Sequence, residues 1–141
     1  MPDGLTNDQQ LSYVLGEIVR ADARILETLL FIEYEVSARD PELAYRKDTD
    51  TRTPNGVIAD LRKVLPERHH SILNEVRETI RRRNLVVHTP WGEEDNGFYL
   101  PADLFMSNAV PPTAIEEFTG VAEDLVSCQV LLTQLRNDLP V

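Results

Sequence analysis

LSYVLGEIVRADARILETLLFIEYEV, residues 11–36, is the stretch whose reading decides the fold. Its apolar residues Leu11, Val14, Leu15, Ile18, Val19, Ile25, Leu26, Leu29, Leu30, Ile32 and Val36 recur mostly every three or four positions, the period of an amphipathic helix. Thr6 and Asn7 are N-cap residues by type, and Asp8 faces the positive end of the helix dipole. Asp40-Pro41 supplies the stop, so a helix is predicted over about 7–38. Such a helix is ~48 Å long at ~1.5 Å per residue. A domain of this size is only ~37 Å across, so the helix bends or projects, and a projecting apolar stripe asks for a second copy. Asp22 interrupts the stripe between Ile18 and Ile25; the favoured reading is an edge position reaching water, the alternative a buried carboxylate with a partner. Gly16 costs ~1 kcal/mol against alanine, tolerable if another backbone packs beside it.

Outward from this helix the pattern stays helical. Residues 39–53 read as a polar surface loop, with room for one turn at 41–45. Thr53-Pro54 opens a short helix over 54–65, carried by Val57, Ile58, Leu61, Val64 and Leu65. A third helix runs from about Glu67 to His88 on Ile72, Leu73, Val76, Ile80 and Val87, and Pro90 stops it. Asp95-Asn96-Gly97, flanked by Trp91 and by Phe98-Tyr99-Leu100, predicts a small hairpin or structured loop near 89–101. A helical turn is read within 102–110. Thr113-Ala114-Ile115-Glu116 reads as a capping box opening a last helix to about Asn137 or Asp138, striped by Ile115, Phe118, Ala122, Leu125, Leu132 and Leu135. The expectation is one soluble all-α domain over 1–141, a bundle of three long helices and one short helix.

Composition excludes several classes. At 141 residues a single core is feasible without disulfides or metal. No apolar run approaches the ~18 residues of a membrane span, and Met1-Pro2-Asp3-Gly4 lacks a signal peptide's basic start, which points to the cytoplasm. Cys128 is the only cysteine and falls in a helical apolar pattern, as an inert core thiol does. His69 and His70 point ~100° apart on a helix, poor joint ligands, and no metal, nucleotide or other cofactor motif is present. The net charge of −10 disfavours nonspecific nucleic-acid binding, yet seven of the 14 basic residues lie between Arg62 and Arg83. They make either a positive strip or a solvated face shared with Glu67, Glu75 and Glu78. Trp91, Phe98 and Tyr99 close a core more readily than they hold a small molecule.

The chemically suggestive segment is Arg83-Asn84-Leu85-Val86-Val87-His88. Asn84 and His88 share a helix face. Arg83 lies ~140° around the axis from His88, so one helix does not bring guanidinium and imidazole onto one small group. Two such helices about a two-fold axis do. The plainer alternatives are a helix-capping His88 and an exposed, salt-bridging Arg83.

This string resembles the Arg-x4–6-His motif of the HEPN superfamily, in the form where a polar residue follows the arginine. The resemblance implies a helical bundle with the motif near a helix end, dimerisation that joins two motifs, and metal-independent endoribonuclease activity of the toxin or phage-defence kind. On that resemblance Arg83, Asn84 and His88 are catalytic. Arg77, Arg81 and Arg82 are candidate substrate-binding residues. The implied partners are a second copy, an RNA substrate and an antitoxin protein. Some members of the superfamily have lost activity, so the competing expectation is a non-catalytic helical dimerisation or protein-binding module.

Overall fold

The computed structural model describes residues 1–37, 53–88, 91–93, 99–101 and 113–140. Helix α1 spans Asn7–Ser37. Thr6 is its cap, through a reciprocal box: Gln9 N donates to Thr6 Oγ1 (3.2 Å) and Thr6 N donates to Gln9 Oε1 (3.0 Å). Helix α2 spans Pro54–Val64, and as expected Thr53 Oγ1 accepts from Gly56 N with proline at the first helical position. Pro66 leads into a 3-10 turn, Glu67–His69, and then helix α3, His70–His88. Strands β1 (Trp91–Glu93) and β2 (Tyr99–Pro101) pair antiparallel, the small hairpin expected after the third helix. Helix α4 spans Ile115–Asp138. The expected loop over 39–53 (apart from Thr53), the Asp40-Pro41 stop, the Asp95-Asn96-Gly97 turn and the helical turn within 102–110 lie outside the described residues.

The start of α4 corrects one expectation. Thr113 does not cap it; the N-cap is Ala114, without a side-chain hydrogen bond. Thr113 is held extended because its backbone N–H and C=O both bond Tyr99, at 2.8 Å each. A residue committed to a strand bridge in this way fixes where the helix begins.

The core is one cluster filled from all four helices: Ile18, Ile25, Leu29 and Ile32 of α1, Val57, Ile58 and Leu61 of α2, Leu73, Val76 and Ile80 of α3, and Phe118, Leu125 and Leu132 of α4. Helix α4 lies between α1 and α3. It runs parallel to α1, since Glu35 meets Arg136 at 2.7 Å while Tyr13 and Glu17 border the same groove as Thr119 and Ala122. It runs antiparallel to α3, since Arg82 meets Asp124 at 3.0 Å and the segment after α3 packs on Phe118. Trp91 and Tyr99 both meet Phe118 edge-on, at 4.8 and 5.6 Å, and the Tyr99 hydroxyl donates to Asn7 O. Trp91 and Tyr99 therefore close the core, as the sequence suggested, while Phe98 lies outside the described residues.

The helices differ widely in length, and the difference leaves part of α1 uncovered. At ~1.5 Å per residue, the 31 residues of α1 make ~46 Å and the 11 residues of α2 only ~16 Å. Helix α2 ends beside Val36, so it covers the C-terminal part of α1. Beyond its N-terminus the flank of α1 bearing Leu15, Val19, Asp22 and Leu26 faces the end of α3 with no fourth helix over it among the described residues.

Gly16 departs from expectation: among the described residues no backbone packs against it, and an added Cβ meets nothing within 4 Å. Replacing Gly16 by alanine is expected to raise stability by about 0.5–1 kcal/mol, because the flexible glycine is no longer ordered for nothing. Urea denaturation checks this; a destabilised variant means another chain sits against that face.

Candidate functional site

Arg83 is not an exposed residue. Its side chain, 14% exposed, reaches across to α1 and grips Asp22, itself 20% exposed. Nε donates to Oδ1 at 3.0 Å and Nη2 to Oδ2 at 2.9 Å, a fork-on-fork pair. Asp22 is thus half-buried with a cationic partner on another helix, between the edge group reaching water and the buried carboxylate that the sequence left open. The α1 pattern places it on the core-facing flank, and only a cation from another helix makes that position tolerable. The pair uses Nε and Nη2, so the N–H groups of Nη1 lie outside it.

Asn84 is half-buried and His88 is exposed at the last position of α3. Their four-residue spacing puts them on one line, about 100–140° around the axis from Arg83. Within one chain the arginine and the histidine therefore do not converge, as the helical spacing required. What the fold adds is the location: Arg83, Asn84 and His88 all lie on the stretch of α3 that passes beyond the N-terminus of α2.

The three neighbouring arginines meet different partners. Arg81 pairs with Glu78 at 2.6 Å on the outside of α3. Arg82 turns the other way, bonded to Asp124 of α4 and to Thr79 Oγ1. Arg77 lines a groove of about 330 Å³ between α2 and α3, together with Asn55, Ile58, Arg62, Lys63 and His70. The expected substrate-binding set is thereby divided: Arg77 faces an open groove, while Arg81 and Arg82 are engaged by carboxylates. Arg62 and Lys63 belong to the basic strip without a site assigned to them, and His70 is read from sequence only as a poor joint metal ligand; their convergence depends on how α2 folds back on α3.

The other titratable groups are structural. Cys128 is buried against Thr79, and burial pushes its thiol pKa up, away from reactivity. His69 is buried, and its Nε2 accepts from Arg68 Nε at 3.2 Å, which requires the neutral ring. Burial first, and the Arg68 cation second, hold its pKa below the ordinary value of 6.5; Asp138 pulls weakly the other way. The unfolded chain therefore binds a proton that the fold refuses. The stability held by the neutral ring is complete above pH 6.5 and is lost as pH falls below it, down to the lowered folded value. Melting temperatures at pH 7.5, 6.5 and 5.5 are expected to fall in that order, with a smaller fall for His69→Gln. Among the described residues no cluster of His, Cys, Asp and Glu is placed to hold a metal ion. No helix among them is long and apolar enough to cross a membrane.

Comparison of the chain with models of protein families, with curated proteins and with solved structures finds no match. The site is therefore read from its own geometry.

Proposed function

We propose that the protein is a HEPN-like, metal-independent endoribonuclease that acts as a dimer, of the toxin or defence kind, with an antitoxin protein as its natural counterpart. One observation carries the reading: an arginine pre-set by a carboxylate stands at the seam between α1 and α3, over which no further helix lies among the described residues, on the same helix end as an exposed histidine. Asp22 fixes the guanidinium plane and leaves Nη1 to meet a phosphoryl oxygen. His88 keeps its ring in solvent, open to a bound strand.

In the proposed reaction His88 takes the proton of a ribose 2′-hydroxyl. The freed oxygen attacks the adjacent phosphorus, and the bond to the 5′ oxygen breaks with its electron pair going to that oxygen. The leaving oxygen takes a proton from solvent water, and the protonated His88 releases its own proton back to solvent. The products are a 2′,3′-cyclic phosphate and a 5′-hydroxyl end. Arg83 neutralises charge on the non-bridging oxygens, and Asn84 positions the strand by hydrogen bonding.

The test is incubation of the purified protein with mixed RNAs in EDTA, with end-group analysis of the fragments. Cyclic phosphate ends that depend on His88 support the reading. Absence of cleavage, or equal cleavage by His88→Ala, refutes it. A second reading, a helical dimerisation or protein-binding module, draws on the apolar side chains that α1 turns to solvent: Val19 at 56% exposure, Phe31 at 46% and Tyr34 at 66%. It leads to stable oligomers without RNA cleavage.

A further inference from the structure

His70, Arg77, Asn84 and His88 recur along α3 at intervals of seven, seven and four residues. At ~100° per residue they fall within about 40° of one line, and from first to last they span ~27 Å. Glu75 and Glu78, the acidic residues of α3, lie roughly 80° or more off that line. At one end the line forms a wall of the groove to which α2 contributes Arg62 and Lys63. At the other end it passes the N-terminus of α2 and reaches His88.

The arginines elsewhere on α3 and α4 are neutralised: Arg81 by Glu78, Arg82 by Asp124, Arg83 by Asp22 and Arg136 by Glu35. Among the described residues no ion pair engages Arg62, Lys63 or Arg77. On a chain of net charge −10, three uncompensated cations sharing one groove focus a local positive field that the total charge hides.

We propose that this groove and the line beyond it form the track on which a single RNA strand lies, its phosphates held by Arg62, Lys63 and Arg77 and its chain led past Asn84 to His88. The proposal rests on the ribonuclease reading for the identity of the polyanion. A track of ~27 Å holds about eight nucleotides at the ~3.4 Å per nucleotide of a stacked strand, and fewer when extended. Cations at one end and an imidazole at the other separate holding from cutting: the groove contacts sugar–phosphate backbone without reading bases, and the strand is cut several nucleotides from where it is gripped.

Binding and cutting are measured separately. A short fluorescein-labelled 2′-O-methyl RNA, which has no attacking hydroxyl, is titrated with the wild-type protein, with the Arg62→Gln/Arg77→Gln double variant and with Arg82→Gln, at several salt concentrations. The double variant is expected to bind about tenfold or more weakly at 0.1 M salt. Its plot of log K against log salt is expected to be shallower by about 1.4, or ~0.7 for each lost phosphate contact. Arg82→Gln, changed on the opposite side of α3, binds as wild type. Equal affinity and slope in the double variant overturn the proposal. So does absence of RNA binding by the wild type, or binding of polyglutamate or phosphatidylserine vesicles through the same arginines with no RNA bound. Cleavage of an all-RNA strand is assayed in parallel. Groove-dependent binding without cutting keeps the track and removes the nuclease; cutting with groove-independent binding does the reverse.

Discussion

Replacing Asp22 by alanine is expected to cost about 3 kcal/mol of stability, the largest effect of any single side chain outside the apolar core. The reason is not that the ion pair is strong. It is that Arg83 remains: a guanidinium 14% exposed, held between α1 and α3, loses the carboxylate that met two of its nitrogens. An uncompensated charge in that position has no cheap refuge, because a guanidinium does not deprotonate. At roughly 4 °C per kcal/mol for a domain of this size, the melting temperature falls by about 10 °C. The double replacement Asp22→Leu with Arg83→Met removes both charges and keeps the volume, and is expected to lie within about 1 kcal/mol of wild type. That contrast separates a desolvated pair from a surface one. If Asp22→Ala costs under about 1 kcal/mol, water reaches the pair and its rigidity cannot be what aims Arg83. The double variant also carries a functional expectation. It folds, yet cuts no RNA, which separates the arginine's catalytic part from its structural part.

Replacing His88 by alanine is expected to lower RNA cleavage by about 10²–10⁴-fold, the usual worth of a general acid–base group. Stability changes by no more than about 0.5 kcal/mol, since the ring is exposed. Arg83→Lys keeps a positive charge but loses the fork that matches Asp22, so both cleavage and melting temperature fall. The composite geometry makes a sharper demand. Arg83 and His88 of one chain diverge around α3, so in the proposed dimer a productive site takes arginine from one copy and histidine from the other. Mixing Arg83→Lys chains with His88→Ala chains then creates heterodimers with one intact site. Activity is expected to return to about a quarter of wild type under random pairing. No recovery on mixing, with heterodimers verified by mass, places both groups on a single chain's site and removes the two-fold mechanism.

The helices were legible because their signals are local. Thr53-Pro54 caps and opens α2, the three- and four-residue spacing from Leu11 to Val36 draws α1, and the isolated Cys128 falls on a core stripe, all as the structure has them. Misreadings arose where a local signal competed with a distant partner. Thr113-Ala114-Ile115-Glu116 has the form of a capping box, but Tyr99 takes both backbone groups of Thr113. Gly16 suggested a close neighbour, and within the described chain there is none. The candidate site was half legible. The line through Asn84 and His88 comes from helical spacing alone, while the roles of Arg77, Arg81 and Arg82 diverge through the different groups each one meets.

By itself the chain order of residues determined the four helices of the described residues and the angular separation of Arg83 from His88, and narrowed the segment after the third helix to a hairpin or structured loop, because each depends on contacts within a few residues. Only the tertiary structure decided that Asp22 answers Arg83 across 61 positions, and that α2 folds back so that Arg62, Lys63 and Arg77 share a groove. A buried charge is settled by whichever opposite charge packing brings within hydrogen-bond reach, and no pattern along one helix specifies which face of another it will meet.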